Sequence, residues 1–163
     1  MSSSPPGRVR AIFLAAGLAL SALTAGCSGH ASTSPGTSTS EGSPHGLWRD
    51  QAVAWSGTHA ADLRAISTSA GDLATASKGG DVALVRLAVT QFLLDVGRTD
   101  GSLPDNAFGR DMHTIMHGYL RALTDLRTGV STHDNALFTK AAEELSHAVT
   151  KFSAIGARMA KAP

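Results

Sequence analysis

The stretch AFGRDMHTIMHGYLRALTDLRTGV, residues 107–130, decides the fold. Its apolar positions Phe108, Met112, Ile115, Tyr119, Ala122 and Leu126 step by fours and threes, which winds them into one stripe of a helix turning about 100° per residue. A half-buried strand would alternate by twos, and no such alternation is present. The same stretch holds His113 and His117, four apart and therefore on one helical face. They lie about 120–160° from the centre of the apolar stripe and are expected to face solvent. With Met112 and Met116 beside them they form a candidate copper or zinc site, although a dedicated site needs a third ligand and the sequence offers no obvious one.

The helical period continues on both sides. Downstream, Phe138, Ala141, Leu145, Ala148, Phe152, Ile155 and Met159 define another apolar face, entered through a Ser131-x-x-Asp134 pattern that resembles a capping box. Upstream, Val82, Val85, Val89, Phe92 and Val96 follow Gly79-Gly80 with Asp81 placed to cap, and Pro104 fits the first turn of the helix beyond. A single longer helix is expected to carry Trp48, Ala52, Trp55, Leu63, Ile66, Ala70 and Leu73. Four helices joined by short connections predict an all-α fold, an antiparallel up-down four-helix bundle, over residues 47–163. Its alanine-rich interior brings helices close and leaves little room for a large internal ligand.

Other polar residues were weighed against these faces. His59 falls within about 20° of the first helix's apolar stripe, and Asp62 sits at its edge, so a buried or half-buried His59–Asp62 pair is expected. Its plainest role is to fix helix register; an acid–base role is the third reading of the chain's function. Trp48 and Trp55, seven apart, read as core anchors. His133 and His147 lie off the fourth stripe, and Glu143 and Glu144 fall on its polar margin. No G-x-S-x-G, H-E-x-x-H, P-loop or Glu plus Glu-x-x-His set occurs, so no catalytic constellation and no cofactor are expected.

Residues 28–46 are Ser, Thr, Gly and Pro with almost no apolar content, a tether composition in which His30 and His45 read as solvated. Before it, Arg8 and Arg10 precede an apolar run from Ala11 to Leu23 and the small residues Thr24, Ala25 and Gly26. That run would make a helix of about 20 Å, short of the roughly 30 Å of a hydrocarbon core, which is the layout of a signal peptide over residues 1–26. Leu23-Thr24-Ala25-Gly26-Cys27 resembles the lipobox of bacterial lipoproteins, with the leucine one position earlier than in the commoner pattern. The resemblance implies cleavage after Gly26, diacylation of the Cys27 thiol and an extracytoplasmic, membrane-anchored domain. In general layout the chain resembles small four-helix lipoproteins of Gram-positive, actinobacterial-type envelopes, which implies no particular activity.

Cys27 is the one cysteine, which excludes an intramolecular disulfide, a thiolate zinc site and an iron–sulfur cluster. The chain carries 14 Lys and Arg against 13 Asp and Glu, and losing Arg8 and Arg10 turns its net charge from +1 to −1. The remaining basic residues are scattered, so neither nucleic acid nor an anionic lipid surface is an expected electrostatic partner. The leading expectation is a lipid-anchored helical module that binds a protein partner in the cell envelope, with metal handling by His113 and His117 as the alternative. Metabolic labelling with palmitate should mark the wild-type chain in its own host and leave Cys27→Ser unmarked.

Overall fold

The computed structural model describes residues 44–160, which form five helices and no strand: α1 (Pro44–Thr58), α2 (Ala60–Gly79), α3 (Val82–Gly101), α4 (Ala107–Thr132) and α5 (Asn135–Ala160). The signal peptide, Cys27 and most of the tether lie outside the described residues. The first described helix, α1, includes Pro44, three residues before the expected boundary of the helical domain.

The first expected helix is two helices. His59, at φ −106° and ψ 25°, interrupts it, although backbone bonds from His59 N to Trp55 O (2.9 Å) and from Leu63 N to His59 O (3.1 Å) span the break. The preceding residues explain the kink. Gly57 is a poor helix former, and the Ser56 and Thr58 hydroxyls donate back to the carbonyls of Val53 and Ala54, a competition that bends helices.

Three turns set the remaining helices. Gly80 ends α2 in the left-handed conformation at φ 72°, and the Asp81 carboxylate accepts from Ala83 N (2.8 Å) and Leu84 N (3.2 Å) to start α3. Helix α4 starts later than expected. Pro104 lies in the turn before it, and Asn106 is the cap, accepting from Gly109 N at 2.8 Å. At the far end His133 takes the left-handed conformation, and Asp134 rather than Ser131 caps α5, accepting from Ala136 N and Leu137 N. Ser131 belongs to α4, its hydroxyl bonded to the Arg127 carbonyl.

Neighbours in sequence are neighbours in space: α2 packs along α3, α3 along α4, and α4 along α5, while α1 reaches α4 and α5. The core runs through the middle of this array, with Ile66, Leu73, Val89, Phe92, Val96, Met112, Tyr119, Leu123 and Leu126 nearly fully buried. Between α2 and α3 sits one buried acid, Asp95, which accepts from Ser69 Oγ at 2.6 Å and from Gln91 Nε2. A buried carboxylate satisfied across two helices fixes their register, because sliding either helix would strand it.

Two substitutions test this packing. A Cβ at position 109 would overlap the Pro104 carbonyl, so Gly109→Ala should destabilise the fold by at least about 2 kcal/mol in urea titration. Burial pushes the Tyr119 phenol above its ordinary value of 10.0, and its hydroxyl has no hydrogen-bond partner among the described residues. The unfolded chain therefore releases this proton first, and stability, full below pH 10, falls as pH rises beyond it. Tyr119→Phe should remove that part of the alkaline loss and leave stability at neutral pH unchanged or up by about 1 kcal/mol.

Candidate metal centre

The corner between α3 and α4 brings three ligand-type side chains together. Asp100 stands in the last turn of α3, while His113 and His117 stand two and three turns into α4. His113 Nδ1 lies 2.7 Å from Asp100 Oδ1, and His117 Nε2 lies 3.5 Å from Asp100 Oδ2. One ligand atom from each of the three side chains lies within 4.8 Å of the other two. The rings of His113 and His117 meet edge to face at 6.1 Å.

Asp100 is the third ligand-type side chain that the sequence reading lacked. Its neighbourhood, Gly97-Arg98-Thr99-Asp100-Gly101, reads as a turn, but α3 continues through Gly101 and carries Asp100 to the face that meets α4. A usable signal existed: a short connection from 102 to 106 folds α4 back along α3, so residues a few positions either side of it must face each other. Asp100 also adds a carboxylate to the negative end of a helix, an arrangement that favours a nearby cation.

The two histidines differ in setting. His117 faces solvent as expected, with 69% of its side chain exposed, whereas His113 leans onto α3 and is 44% exposed. Asp100 is 18% exposed, giving the cluster a shielded floor and an open rim. Met112 and Met116, named above as soft ligands, are buried in the core at 1% and 0% exposure and belong to packing.

The corner is braced from α1. Trp55 Nε1 donates to the Ser102 carbonyl at 3.0 Å, and the Trp55 ring packs against Phe108 at 5.5 Å. Trp48 donates to Asp111 Oδ2 at 2.9 Å, meets Phe108 edge-on, and lies under the Arg158 guanidinium, whose carbon is 3.8 Å from the ring centre. Arg158 in turn bonds Asp111 at 3.1 Å. Both tryptophans are thus core anchors with satisfied indole N–H groups.

Comparison with protein-family models, with curated proteins and with solved structures returned no match for this chain. The reading of the site therefore rests on its own geometry.

His59 and Asp62 are brought together, with Nδ1 3.1 Å from Oδ2, but at the kink rather than deep in the core: their side chains are 27% and 23% exposed. The imidazole stacks on Trp55 at 4.9 Å. Packed this way, the pair closes the break between α1 and α2. His147 and Glu144 of α5 line an open groove of about 230 Å³ with Thr114, Gly118 and Arg121 of α4, beside His117 along that helix. Glu143 is exposed and Glu144 half-buried, at the polar margin where the sequence puts them.

Proposed function

We propose that the chain is a helical module that binds a divalent transition metal at Asp100, His113 and His117 on the extracytoplasmic side of the membrane, anchored there by an acylated Cys27. The single observation that carries the metal reading is the convergence of the Asp100 carboxylate on both imidazoles. Two imidazoles and one carboxylate form a borderline ligand set that suits Zn(II), Cu(II) or Ni(II) better than Mg(II) or Ca(II), which prefer oxygen alone. Three protein ligands with an open rim leave a coordination position for water or for a donor atom of a partner that takes or delivers the ion. In the metal-free chain the 2.7 Å hydrogen bond between His113 Nδ1 and Asp100 Oδ1 holds the two side chains together. Metal binds imidazole nitrogen and carboxylate oxygen in competition with protons, so affinity falls as pH falls.

The anchor reading rests on residues 23–27, and it is consistent with helices none of which, among the described residues, is long and apolar enough to cross a membrane. We read α2 to α5 as the antiparallel up-down bundle, with α1 folded across the end that carries the site. That reading is supported by the short turns at Gly80-Asp81 and His133-Asp134 and by the packing of sequential helices. The protein partner expected in the envelope becomes, on this account, the donor or acceptor of the ion.

The test is calorimetric titration of Zn(II) and Cu(II) into the full chain carrying Cys27→Ser, purified without chelators. One equivalent should bind. Asp100→Asn should weaken binding by about 10–100-fold, and His113→Ala with His117→Ala should abolish it. Binding of unchanged affinity in the double alanine variant, or no binding in the parent, would end the proposal.

A further inference from the structure

Helices α4 and α5 pass each other in opposite directions. Asp125 pairs with Lys140 at 3.0 Å, Gly118 stands against Ala148, and Asp111 pairs with Arg158 at 3.1 Å. By the same register Arg121 is level with Glu144, and Thr114 with Lys151. The level between them holds only a glycine against an alanine, so the groove of about 230 Å³ opens there, with Ile115, Gly118 and Ala148 as an apolar floor. Packing does not require the glycine. A Cβ at position 118 would meet the Ala148 Cβ at 3.7 Å, an ordinary contact, and the backbone there is not left-handed. Glycine inside a helix is less favourable than any residue but proline, and the visible return for leaving position 118 bare is the groove itself.

Charge describes the occupant. Arg121 and Lys151 line the groove without a hydrogen-bond or ion-pair partner among the described residues, and so does His147, which the register places between them. The one acid of the lining, Glu144, is engaged elsewhere: its Oε1 lies 3.6 Å from Lys140 and its Oε2 is out of reach of solvent. The groove is therefore positive. Its two cations stand at opposite ends, one on each helix, separated by seven residues of rise, or about 10 Å along the axis. Both side chains are long enough to turn inward over the floor. The complement of such a groove is a molecule negative at both ends and apolar between them, since one compact anion would leave one of the cations without a partner.

We infer that the groove between α4 and α5 binds a small linear dicarboxylate. Arg121 takes one carboxylate through its guanidinium fork and Lys151 takes the other, each as a charge-assisted hydrogen bond. The methylenes between them lie on Gly118 and Ala148, and His147 can donate to either end. The groove shares no residue with the metal cluster, and the two proposals stand or fall separately.

The test is titration of succinate into the metal-free full chain carrying Cys27→Ser, followed by amide proton–nitrogen NMR. Saturable shifts should gather on residues 114–121 and 144–151, with a Kd of about 1 mM, and acetate should bind at least about 5-fold more weakly. Arg121→Gln with Lys151→Gln, both at exposed positions that leave the fold intact by circular dichroism, should weaken succinate by at least about 10-fold. Gly118→Leu, which fills the floor, should abolish binding, while Asp100→Asn should leave it unchanged. Absence of saturable shifts up to about 50 mM succinate would overturn the proposal. So would acetate or phosphate binding as tightly as succinate, or an affinity indifferent to the Arg121 and Lys151 substitutions. Loss of binding in Asp100→Asn would overturn it as well, because the dicarboxylate would then be held at the metal cluster.

Discussion

The start of α4, just past the turn that joins it to α3, has room at position 109 for glycine alone. The Pro104 carbonyl occupies the space a side chain would need, and Asn106 holds the same residue's N–H, so the direction in which α4 leaves the corner is fixed by a steric wall and a cap acting together. Everything of chemical interest hangs from that corner. With α4 held at this angle, Asp100 stands level with His113, and the carboxylate accepts the imidazole at 2.7 Å. Phe108, one residue before the glycine, becomes the floor on which both tryptophans of α1 pack.

Helix α1 then acts as a brace rather than a member of the layered array. Its hold is mixed: indole faces bury against Phe108, while the indole N–H groups reach a loop carbonyl and the Asp111 carboxylate. The kink at His59 makes this geometry available, because an unbroken helix would have carried α1 straight on from α2, away from the end of α5 where Arg158 closes over Trp48. Asp95 performs the corresponding task between α2 and α3. A buried carboxylate bonded to Ser69 contributes little net stability, but it penalises every register but one.

The helices were legible in the sequence because an amphipathic period survives any arrangement of the helices that carry it. Phe108 through Leu126 and Ala141 through Ile155 fall on buried faces as their spacing requires, with Phe138 partly buried at the margin. The break at His59 was not legible, since the apolar stripe passes through it without a change of phase and the cause is local: a glycine flanked by two hydroxyls that bond backward. The His113–His117 pair was visible, but its third member was hidden in residues that read as a turn. Periodicity reports which face a residue occupies on its own helix and is silent about what stands opposite on the next one. The exposed leucines of α3 show the same limit from the other side. Leu87 and Leu94 have helical spacing as regular as that of Val89 and Val96, and only the packed structure tells the covered row from the uncovered one.

On the proposed reading, a carboxylate at the negative end of one helix and two imidazoles on the flank of the next would hold a cation without thiolate, open to solvent on one side. X-ray absorption of the zinc-loaded full chain with Cys27→Ser reads that ligand set directly. Two imidazole scatterers with a carboxylate oxygen, all at roughly 2.0–2.2 Å, are the expected first shell. A sulfur scatterer near 2.3 Å, or a shell of oxygen without imidazole, would contradict the account.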